Sequence, residues 1–258
     1  MICNSATAFR AEVDGRRLSF EEEGIWGGVF VMRDRETGTL WSHYTGEAVQ
    51  GPAAGTSLQW EQVHRMRTSR ALDAFPSALT PAPSSLAPGR RVAAKGRGDA
   101  LGDGLPGAFV PTLGPPQKED RRLPRHEHGL GLFVAGSHRF YPLDRLQRRA
   151  LVQEEVGGVA VAVLVQDGGE AAAAYGRCVD GVTLSFESAA HEGRIAMTDR
   201  ETGSVWLSTG LAVAGPHKGA QLTPLRSIVT DWYGWAAYFA RTTIYEAVTA
   251  PTRPGSAP

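Results

Sequence analysis

Apolar and polar positions alternate over short stretches broken by glycine-rich turns, so the chain reads as hairpin after hairpin. Leu18 and Phe20 alternate behind the turn Val13-Asp14-Gly15, and Leu184 and Phe186 do so behind Val179-Asp180-Gly181. Val29, Phe30 and Val31 enter a second turn, Asp34 to Gly38, and Leu40 and Trp41 leave it. Gly38 supplies the positive φ such a turn needs, and the Asp34 side chain is placed to bond nearby backbone N–H groups. Gly129 to Val134 and His138 to Pro142 read as strands flanking a turn. Leu143 to Val152 reads as a short helix, and the continuous apolar run Val156 to Val165 as a buried strand. Ile228 to Phe239 sets Trp232, Trp235 and Phe239 at spacings of three and four, which predicts one amphipathic helix, and Thr242 to Val248 closes with a strand. Its counterpart, Val63 to Phe75, is more polar.

The pattern occurs twice. Val13 to Phe20 returns as Val179 to Phe186, an offset of 166, and Asp34-Arg35-Glu36-Thr37-Gly38-Thr39-Leu40-Trp41 returns as Asp199-Arg200-Glu201-Thr202-Gly203-Ser204-Val205-Trp206, an offset of 165. Thr45 to Pro52 returns as Thr209 to Pro216, an offset of 164. Two single-residue deletions between anchors explain the drift, and loops tolerate such changes. The expected fold is therefore α+β and mainly β: a hairpin-rich unit used twice, with a few short helices. Residues 1–80 form an incomplete first copy, 81–118 a flexible Pro/Gly/Ala-rich linker, 119–250 a complete second copy and 251–258 a disordered tail. The stretch from about 120 to 165 has no partner ahead of copy one.

Composition narrows the function classes. Twenty-seven basic residues balance twenty-seven acidic ones, so no net field draws nucleic acid or an anionic membrane. Arg90, Arg91, Lys95 and Arg97 form a short basic run that reads as solvated linker. No apolar run approaches the roughly 20 residues of a bilayer span, and no leader is visible, so the default expectation is a soluble, reduced, cytoplasmic protein. That default depends on where the native chain starts. Cys3 and Cys178 are too few for a disulfide framework.

The Asp-x-x-Thr-Gly-x-x-Trp pattern resembles the docking motif of quinoprotein propeller blades, but two copies 165 residues apart exclude a propeller, whose blades recur every ~40–50 residues. A fuller resemblance covers most of the chain. Tyr141-Pro142, Gly157-Gly158, Asp180-Gly181, Asp199 to Trp206, Thr209 to Pro216, and Trp232 with Trp235 occur in the order seen in a prokaryotic family, the domain of unknown function (DUF) 3179. The family resemblance implies no activity. It does imply a Cys-Pro-Leu-Cys-Gly-Ser-like motif, whose cysteine pair suits metal ligation or thiol–disulfide exchange. At those positions copy two holds Gln166 and Gly169. In copy one, Cys3-Asn4-Ser5 matches the motif's second half, and the first cysteine would fall one position before Met1, as though the start cut the motif.

The remaining candidates read as structural. His126-Glu127-His128 would set two imidazoles on one strand face, too few ligands for zinc, and reads as exposed loop histidines. Asp34 with Glu36, and Asp199 with Glu201, could do acid–base work but have a sufficient role in their turns. Arg35 and Arg200 are placed to pair with a buried carboxylate or an anionic ligand. His43 and His217 each lack a histidine counterpart, Trp41 and Trp206 read as core anchors, and Cys178 reads as structural beside its turn. The expectation is a non-catalytic or degenerate binding or interaction module of unknown partner. The alternatives are a metal- or thiol-dependent enzyme sited at Cys3 in a longer chain, where a metal ion would be the cofactor, and a carboxylate hydrolase using the acidic turns.

Overall fold

A computed structural model describes residues 4–26, 29–75, 77–79, 112–113, 119–147, 149, 151–166 and 170–246. It is strand-rich with three short helices among those residues, a mainly β, α+β fold. The expected tail at 251–258, and most of the linker expected at 81–118, lie outside the described residues. Thr112–Leu113, within that stretch, pairs in parallel with Ile25 and Trp26. No helix among the described residues is long and apolar enough to cross a membrane.

The chain forms two compact units. The first comprises Met1–Arg125 with Thr230–Ala240, and the second His126–Val229 with Arg241–Pro258. In the first, a two-residue hairpin joins Glu12–Val13 to Arg16–Arg17. Asp14 and Gly15 both adopt positive φ, 49° and 74°, the type I′ geometry that matches strand twist. An antiparallel meander follows, Phe20–Trp26, Val29–Asp34, Leu40–Ser42 and Ala48–Gln50. The second unit repeats this with Cys178–Val179 and Val182–Thr183, then Phe186–His191, Arg194–Asp199, Val205–Leu207 and Ala212–Ala214. Equivalent side chains make equivalent cores. Leu18, Trp41, Ala48 and Leu58 pack together in copy one, as Leu184, Trp206, Ala212 and Leu222 do in copy two.

The second unit also contains the stretch that copy one lacks. His128–Val134 and Ser137–Pro142 form a hairpin in a four-stranded sheet with Ser227–Asp231 and Thr243–Ile244 at its edges. Leu151–Val156, Val159–Gln166 and Ala171–Gly176 make a three-stranded sheet.

Several element bounds differ from the sequence expectations, each for a local reason. The apolar run Val156 to Val165 is broken where Gly157 and Gly158 turn at φ 58° and 78°, so Val156 ends one strand and Val159 begins the next. The helix expected at Leu143 to Val152 stops at Leu146, and Leu151 and Val152 join the neighbouring strand. The helix expected over Ile228 to Phe239 begins only at Trp232. The β-branched run Ile228-Val229-Thr230 favours extended backbone, and it fills an edge beside His128–Val134. Of the closing strand expected at Thr242 to Val248, Thr243–Ile244 is a strand, and residues 247–248 lie outside the described residues.

Candidate functional site

The twice-used acidic turn is built from inside its own sequence. Gly38 lies at φ 73°, and its N–H donates to the Asp34 carbonyl at 3.0 Å. The Asp34 carboxylate accepts from the Thr37 N–H at 2.5 Å, the Thr37 hydroxyl at 2.9 Å and the Trp41 indole Nε1–H at 2.8 Å. Copy two repeats the set on Asp199, from the Thr202 N–H at 2.6 Å, its hydroxyl at 2.7 Å and the Trp206 indole at 2.8 Å. Both indoles are fully buried. Burying about 200 Å² of indole at about 25 cal/mol per Å² contributes on the order of 5 kcal/mol. Burial raises the carboxyl pKa, but the indole and threonine hydrogen bonds outweigh it and hold both aspartates below the ordinary value.

The next layer is equally regular. Glu36 accepts from the Ser19 N–H and Glu201 from the Ser185 N–H, both at 2.9 Å, tying each turn to the strand entry before it. Those backbone hydrogen bonds, as the largest cause, lower both glutamate pKa values. The carboxylates that Arg35 and Arg200 meet are exposed ones, not buried. The two arginines pair with Glu21 and Glu187 on the exposed sheet face, at 3.3 and 2.8 Å. Thr39 and Ser204 receive the N–H groups of Ala53 and His217 at 3.2 and 3.0 Å. The His217 backbone thus does what Ala53 does in copy one. Its imidazole lies 5.6 Å from the Trp206 ring.

A different arrangement stands at the segment matching the cysteine motif. His43 is nearly buried, and its Nδ1 faces the Phe30 carbonyl at 2.8 Å, which assigns the proton to that nitrogen. Nε2 then accepts from the Ser5 hydroxyl at 3.0 Å, and the Thr7 hydroxyl donates to the His43 carbonyl at 2.7 Å. Burial lowers the imidazole pKa to about 4, against the smaller raising effect of the Phe30 bond, so the ring is neutral at physiological pH. In copy two Ser208 takes this place, its N–H donating to Ile195 as that of His43 does to Phe30. Gln166, at the motif's first cysteine position, pairs in register with Ala171, the counterpart of Ser5. Its amide donates to the Ser208 carbonyl at 2.8 Å. Copy two therefore sets the first-cysteine position beside the position His43 fills in copy one. Sequence reasoning set His43 aside for want of a histidine counterpart and passed over Ser5; the signal available was that Ser5 ends the Cys-Gly-Ser portion of the motif.

The other candidates scatter. Cys3 and Gly169 lie outside the described residues. His126 is an exposed turn residue and His128 opens a strand half-buried, so they share no strand face. Cys178 is exposed at the start of the strand Cys178–Val179, beside its turn. Among the described residues no three His, Cys, Asp or Glu side chains converge to hold a metal ion.

Fold and site together define a duplicated β-hairpin protein, each copy locked by a buried carboxylate–indole pair. The chain belongs to the family of proteins of unknown function DUF3179, whose model matches residues 1–82 and 102–255, in keeping with two copies of the family domain. No curated protein and no solved structure matches it.

Proposed function

We propose that this chain is a non-catalytic member of its family, acting as a binding or interaction module. The observation that carries the reading is the Gln166–Ser208 bond at 2.8 Å. Where the family motif has its first thiol, copy two has an amide closed on the backbone carbonyl of Ser208, the counterpart of His43. The duplicated carboxylates support the same reading. Asp34 and Asp199 hold their charge against their own indoles and threonines, with no proton to give and their oxygens already engaged, which suits neither a general acid nor a base.

One observation favours a second reading, a metal- or thiol-dependent enzyme sited at the Cys3 motif. His43 has its Nδ1–H fixed by a carbonyl and its Nε2 turned toward the motif segment, the second-shell arrangement typical of a metal-bound imidazole. In that reading His43 supplies a nitrogen ligand, and Cys3 together with a cysteine directly upstream of Met1 the thiolates, a set suited to a borderline ion such as zinc.

Metal analysis of the purified chain, with Cys3→Ser and His43→Ala beside it, decides between them. The module reading expects no stoichiometric metal in any of the three. A stoichiometric metal lost in both variants would replace it with the second reading.

A further inference from the structure

We draw no further inference here: the strongest candidate, the side-chain cluster of Ser5, Thr7 and His43 in the first unit, belongs to the site already described, and its two hydroxyls close on His43 with nothing in the structure to show a ligand or substrate that it would take.

Discussion

Trp206 donates its indole N–H to Asp199 at 2.8 Å, and Trp41 donates to Asp34 at the same distance in the other copy. In each pair seven residues separate a buried carboxylate from the indole that holds it. Replacing Asp199 by Asn removes the charge from three donors and is expected to cost about 1.5–3 kcal/mol, the range for hydrogen bonds to an ionised group. Asp34→Asn should cost a similar amount, and urea denaturation of both variants measures it.

Acid should act on the same pairs. A carboxyl held below its ordinary value of 3.8 in the fold adds stability above that pH, and the contribution is lost as pH falls from there through the folded value. Below about pH 4 the wild type is expected to lose urea resistance faster than the Asp34→Asn, Asp199→Asn double variant. Equal slopes would show that the charge is not what holds the indole.

His43 sets a second, milder window. Its pKa drops on folding from 6.5 to about 4, so the unfolded chain takes up a proton before the folded one does. Its contribution is whole above 6.5 and declines as pH falls toward 4. At about 1.4 kcal/mol per unit, the full window amounts to on the order of 3 kcal/mol. His43→Gln should flatten the stability profile between those values, and chemical denaturation at half-unit steps follows it.

Gly215 and Gly51 pass close behind the second position after each turn threonine. A Cβ on Gly215 would lie 2.6 Å from Ser204 Cα, and one on Gly51 2.7 Å from Thr39 Cα, both at positive φ. Alanine at either site should destabilise its copy by about 1–3 kcal/mol. Thermal melts give the comparison, with alanine at Gly203, where a Cβ meets nothing within 4 Å, as the control for φ alone.

Trp235→Ala removes a fully buried ring from the first unit, although Trp235 lies in sequence at the end of copy two. The expected loss is about 3–5 kcal/mol. Hydrogen exchange should show it in the strand Val29–Asp34.

Much of this was legible in the sequence because it is local. The Asp-Gly turns, the left-handed Gly38 and Gly203, and the anchoring of Trp41 and Trp206 all follow from residues within eight positions of each other. Where a glycine pair or a β-branched run competed with apolar periodicity, at Gly157-Gly158 and Ile228 to Thr230, the periodicity misled. The Ser5–His43 contact spans 38 residues and two polar side chains, and hydrophobic pattern says nothing about such pairs. Gln166 with Ser208 was hidden for the same reason, at a separation of 42.

The carboxylate–indole pair gives each copy its own optical reporter. Indole emission responds to a nearby charge and to solvent, so Trp41 and Trp206 should shift when Asp34 and Asp199 gain a proton or when their turns open. A chain keeping Trp41 alone, and another keeping Trp206 alone, would let the melting of each copy be followed by its own light, and would show whether the two unfold as one body or in sequence.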